Sequence, residues 1–172
     1  MNLEAISATS DAIASIAVVV SIGFLAYQVK SNNRLLKSAA RQSIVDEFKS
    51  SNRLMTDDAE HFALGMRDYP NLPFLSLSKY SGIMTDTLLS FQSSLALRQA
   101  GTLDKRVYEA YLTFTASLLV TPGGQVYWRQ FRNIFIPEMV LELDTKIAKG
   151  HLDDLLQLPQ FNISWDKQNS SQ

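Results

Sequence analysis

From Ala12 to Val29 the chain carries no charged side chain, and only Ser15, Ser21 and Gln28 interrupt its apolar character. A helix of roughly 18 residues is about 27 Å long, close to the hydrocarbon thickness of a bilayer at about 30 Å. A core helix of a soluble protein keeps a polar face, which this run lacks. A secretory signal carries basic residues ahead of its apolar run and a small-residue cleavage pattern behind it. Here Glu4 and Asp11 precede the run and Tyr27-Gln28-Val29-Lys30 follows it. The pattern predicts a transmembrane helix over 12–29.

Beyond Lys30 the spacing changes to that of helices with one buried stripe. Leu36, Ala39, Ala40, Ile44, Val45 and Phe48 form the first stripe. With no glycine or proline between Phe24 and Leu64 the span continues into this helix with little or no break, Ser31-Asn32-Asn33 being the only place for a hinge. A short helix over Ala59 to Met66 ends before Pro70 and Pro73, because two prolines so close do not sit inside a helix. The next helix is predicted from Ser76 or Ser78, with Tyr80, Met84, Leu88, Phe91 and Leu95 inward and Gly101 ending it. Asp104 caps a helix through Leu119, and Thr121-Pro122 opens another that carries Val126, Trp128, Phe131 and Phe135. Pro137 kinks that helix or opens a further one, which Gly150 stops. No strand alternation or hairpin turn occurs. The predicted fold is all-α: a transmembrane helix continuing into an antiparallel cytoplasmic bundle of four or five helices. The domains are a short extracytoplasmic N-terminus (1–11), the span (12–29), the bundle (30–158) and a mostly disordered tail (159–172).

Charge sets the orientation. Lys30, Arg34, Lys37 and Arg41 crowd the C-terminal side of the span, and cations near a span end stay cytoplasmic. The same four residues suit a bilayer with anionic headgroups. The formal net charge is only −1, so nucleic acid is not an expected partner. The chain has no cysteine, and a second span is absent because Tyr111 to Tyr127 carries Thr121-Pro122-Gly123-Gly124.

Candidate chemistry is sparse. Asp57, Asp58 and His61, and His151 with Asp153 and Asp154, are the only His–carboxylate pairings. They lack the Glu-x-x-His pairs of a bundle metal site, and acidic residues that complement a helix dipole, with histidines on wet surfaces, account for them. No Gly-x-Ser-x-Gly elbow or phosphate loop is present. Gly123-Gly124 reads as a turn that opens a helix. No Arg stands at the spacing before His that helical ribonuclease domains of the HEPN type use. No catalytic residue, metal or cofactor is expected, and the protein is expected not to be an enzyme.

Two patches point to association. Ser10, Ala14, Ala17, Ser21 and Gln28 share a stripe of the span, where small residues let helices approach and polar ones bond across. Trp128, Arg129 and Arg132 form an aromatic–arginine patch suited to a protein interface, or to core packing with arginines on the rim.

An apolar span leading into Tyr27-Gln28-Val29-Lys30-Ser31-Asn32-Asn33-Arg34-Leu35-Leu36-Lys37-Ser38-Ala39-Ala40, then Gly101-Thr102-Leu103-Asp104, then Thr121-Pro122-Gly123-Gly124-Gln125-Val126-Tyr127-Trp128 resembles a family of short single-pass bacterial inner-membrane proteins. The resemblance implies the topology and the membrane of a Gram-negative bacterium, and it carries no catalytic residue. In layout alone the chain is also similar to the membrane accessory proteins of type VI CRISPR systems. The functional expectation is a non-enzymatic, membrane-anchored helical module that self-associates or docks on a partner complex. The alternative is an oligomeric membrane pore or stress effector.

Overall fold

A computed structural model describes the backbone of residues 3–152 and 154–157, and side chains from residue 14 onward. The predicted tail, 159–172, lies outside the described residues. The chain divides into two compact units, Met1–Ala40 and Arg41–Gln172.

The first unit is helical. Helix α1, Leu3–Asp57, supplies all of its described backbone and also the beginning of the second unit. Ser31, Asn32 and Asn33 lie inside α1, so the apolar run continues into the following helical stripe without a break, as the sequence predicts. The physical reason is local: no proline or glycine falls between Phe24 and Leu64 to interrupt the hydrogen-bond ladder.

The second unit adds α2 (Ala59–Asp68), α3 (Phe74–Gln99), α4 (Lys105–Leu119), α5 (Pro122–Phe131) and α6 (Pro137–Lys149), with no strand among the described residues. Short-range signals set several boundaries. The Asp104 carboxylate accepts from the Arg106 N–H, and the Thr121 hydroxyl accepts from the Gly124 N–H with Pro122 in the first turn. Gly101 takes φ +70°. There the Thr102 N–H reaches the Leu97 carbonyl at 3.0 Å and the Gly101 N–H reaches that of Arg98 at 3.0 Å, the paired bonds of a Schellman stop. Gly150, at φ +68°, ends α6. Pro137 opens a separate helix, the second of its two expected roles.

Two expectations need correction. Helix α3 begins at Phe74, two residues before Ser76, because extended Pro73 already starts the turn. Ser76 is buried, and its hydroxyl meets His61 Nδ1 at 2.9 Å. His61 is therefore half-buried and partnered, while His151 is exposed. The α1 stripe is also buried only in part where expected. Ala40 and Ile44 of the expected stripe are buried and the inward face goes on through Ser51 and Met55, whereas Leu36, Ala39, Val45 and Phe48 are exposed. Apolarity alone did not choose the inward face, since polar Ser51 lies on it about two helical turns beyond Ile44.

Helix α2 packs on α3 and α5, α3 on α4, and α4 on α5 and α6. The core between them holds Phe62, Met66, Tyr80, Met84, Leu88, Phe91, Leu118, Leu119, Tyr127, Met139 and Leu143. Each such side chain contributes about 1.5–3 kcal/mol of burial. Tyr69, Tyr80 and Tyr127 meet ring to ring at 5.3–6.2 Å. The close crossing of α2 and α5 depends on glycine: a Cβ on Gly123 would lie 1.7 Å from the Gly65 carbonyl oxygen.

Candidate functional site

The first surface is the described apolar face of α1. Every side chain from Ala14 to Val29 is exposed. An 18-residue window within Ala14–Asp57 has mean hydropathy 1.5 and no buried share. Ala14, Ala17, Ser21 and Gln28 of the predicted association stripe all lie in this helix, and the Ser10 side chain lies outside the described ones. Ser21 donates to the Ala17 carbonyl at 2.8 Å, so its hydroxyl hydrogen is satisfied within the helix, as an apolar surrounding requires. Lys30, Arg34 and Lys37 are exposed further along the unit, and Arg41 is exposed at the start of the next.

The aromatic–arginine patch does not stay together as an exposed surface. Helix α5 ends at Phe131, and a 3-10 turn over Arg132–Ile134 returns Phe135 to stack on Trp128, ring centres 5.9 Å apart. The Trp128 ring is buried, and its Nε1–H donates to Asp144 Oδ1 at 2.9 Å. Arg132 donates to the other oxygen of Asp144 and lies over the indole, 5.9 Å from its centre. Arg129 alone of the three is exposed. Asp144 thus ties α5 to α6, a role its place among other charged residues in the sequence did not signal.

A second polar arrangement inside the bundle was also missed. Ser51 of α1 donates to Asp86 of α3 at 3.4 Å, and Tyr111 of α4 donates to the Thr87 carbonyl at 3.4 Å. Burial pushes the Glu47 carboxyl above its usual 4.5; the Ser43 hydroxyl opposes that rise and the Asp86 charge adds to it. Burial likewise pushes the Tyr111 phenol up to about 12, with hydroxyls lowering it and the charges of Glu47 and Asp86 raising it. These residues come from three helices far apart in sequence, so no local motif announces them.

Several hollows open on the second unit, and two of them bear on function. The larger, about 690 Å³, lies among α3, α4 and α6. On its wall Tyr108 donates to Glu142, and burial raises the phenol above its ordinary range, reinforced by that hydrogen bond. Arg98 and Lys146 stand there in the last turns of α3 and α6, where cations complement the helix dipole. The other is an apolar groove of about 580 Å³ between the last part of α1 and α4. Asp57 and Asp58 do not join His61 in a ligand set: Asp57 pairs with Arg53 at 3.5 Å, and Asp58 pairs with Lys79. Among the described residues no group of three or more His, Asp or Glu side chains is arranged to hold a metal ion.

Together these features define an all-α protein with, among the described residues, one N-terminal helix long and apolar enough to cross a membrane. Comparison with protein families, with curated proteins and with solved structures gave no match to the chain.

Proposed function

We propose that this protein is a non-enzymatic helical module anchored in a bacterial inner membrane. The span (12–29) places the N-terminus outside and the helical bundle in the cytoplasm, where the bundle self-associates or docks on a protein partner. One observation carries the reading: the exposed apolar run of α1. Ile16, Val18, Val19, Val20, Ile22, Phe24, Leu25 and Val29 are each more than half exposed. Leaving so many large apolar side chains in water costs on the order of 10 kcal/mol, comparable to the whole stability of a domain at about 5–15 kcal/mol. A hydrocarbon surrounding removes that cost. Lys30, Arg34, Lys37 and Arg41 support the orientation, since cations at the exit of a span meet anionic headgroups on the cytoplasmic side.

The absence of cysteine makes the orientation directly testable. Single Ala5→Cys and Ser171→Cys variants are expressed in bacteria and treated with a membrane-impermeant maleimide. Labelling at position 5 in intact spheroplasts, with labelling at 171 only after lysis, is the expected result. Release of the chain by alkaline carbonate, or the reverse labelling pattern, overturns the anchor or its orientation. The mass of the protein in mild detergent separates the two modes of action. A discrete oligomer identifies self-association, and a monomer directs the search to a partner of the bundle.

A further inference from the structure

We propose that the apolar groove between α1 and α4 seats the chain's own segment 161–166. The groove is lined by Ile44, Val45, Phe48, Val107, Ala110 and Phe114. Phe48 packs its ring edge-on to Phe114 at 5.3 Å yet keeps 40% of its surface exposed, and Val45 beside it keeps 39%. Lys49 and Arg106 flank this apolar floor. Lys49 has only a loose exposed contact with Asp46 at 4.0 Å, and Arg106 makes no ion pair among the described residues. An occupant therefore needs apolar side chains followed by a negative charge.

The sequence just beyond the described residues has that order. Phe161, Ile163 and Trp165 alternate with polar residues and are followed by Asp166. Seated as an extended strand, in which alternate residues share one side, the segment would turn Phe161, Ile163 and Trp165 together toward the groove.

Reach and direction agree as well. The last described turn, Leu155–Gln157, buries Leu155. Leu155 and Leu156 line a small hollow with Ser117, Val120 and Thr121, at the C-terminal end of α4. Ser117, Phe114, Ala110 and Val107 follow three- and four-residue spacing, one stripe of α4 leading from that hollow to the groove. Helix α4 rises about 16 Å from Ser117 back to Arg106. The residues between Gln157 and Asp166 extend to about 30 Å. Running antiparallel to α4, the segment brings Phe161 to the Phe114 end and Asp166 to Arg106. There the N-terminus of α4 also favours a negative charge.

The test uses the full chain in detergent with 5-fluorotryptophan incorporated. The sequence holds two tryptophans: Trp128, which is buried, and Trp165, which the proposal seats. Fluorine NMR with a soluble paramagnetic agent reads the accessibility of each. Protection of Trp165 that Phe114→Glu abolishes, with the Trp128 signal unmoved, is the expected result. Relaxation of Trp165 as rapid as that of free fluorotryptophan overturns the proposal, and so does protection that Phe114→Glu leaves intact. Should Phe114→Glu also shift Trp128, the charge pair decides. Arg106→Glu lowers the protection of Trp165 and the added Asp166→Lys restores it; absence of either effect sinks the seat. Protection that disappears on dilution assigns the segment to a second copy and overturns the intramolecular arrangement.

Discussion

Replacing Gly123 with alanine tests how closely α2 and α5 cross. The new methyl group would lie 1.7 Å from the Gly65 carbonyl oxygen and 2.9 Å from its carbon. Both are backbone atoms of a helix, so no side-chain rotation relieves the overlap. The two helices must part by roughly 1.5 Å, and a gap of about 0.5–1 Å already forfeits a quarter to a half of the dispersion energy at each contact it opens. Overpacking of this kind costs about 1–3 kcal/mol. Alanine recovers at most about 1 kcal/mol of helix propensity over glycine, and less in the first turn of α5. The expected net loss is about 2 kcal/mol, or roughly 8 °C in Tm for a unit of this size. Gly82 is the internal control: it is exposed within α3, and a Cβ there meets nothing within 4 Å. Gly82→Ala should stabilise by about 0.5–1 kcal/mol. Near-UV circular dichroism during urea unfolding reads the packed aromatic rings and not the apolar part of α1. A Gly123→Ala protein at least as stable as wild type would refute the close-crossing argument, most clearly if Gly82→Ala gave the same shift.

Asp144→Ala removes the acceptor shared by Trp128 and Arg132, and with the ion pair partly exposed the expected loss is about 1–2 kcal/mol. Arg132→Ala should cost less, since the Trp128 N–H still satisfies Asp144; equal urea midpoints for the two variants would contradict this ranking. The raised carboxyl of Glu47 means that the folded chain holds its proton at pH values where the unfolded chain, near 4.5, has lost it. Stability therefore falls as pH rises through the window just above 4.5, and Glu47→Gln should flatten that fall in urea titrations across pH. An unchanged slope removes Glu47 as its source. Ala14→Leu, Ala17→Leu and Ser21→Leu combined should reduce any detergent-stable oligomer to monomer if the span stripe forms the contact; an unchanged mass distribution would place the contact elsewhere.

What the sequence determined by itself is what depends on neighbours along the chain. The uncharged run from Ala12 to Val29 is visible because hydropathy adds residue by residue. Gly101, Asp104, Thr121 with Pro122, and Gly150 mark helix ends because capping and positive φ involve only the next few residues. The α3 stripe from Tyr80 to Leu95 is equally legible, since a helix with neighbours on its apolar face buries that face. Tertiary structure decided the rest. Whether Val45 and Phe48 or Ser51 and Met55 face inward depends on which helix comes to lie against α1. Glycine was readable at Gly123 as a helix opening, but its contact with Gly65 exists only once α2 and α5 cross. Asp144 joined to Trp128 and Arg132, Ser76 joined to His61, and the carboxylates beside Tyr111 are pairings across helices. Such a pairing is set by packing in three dimensions, and a one-dimensional pattern of polar and apolar positions does not specify which polar group meets which.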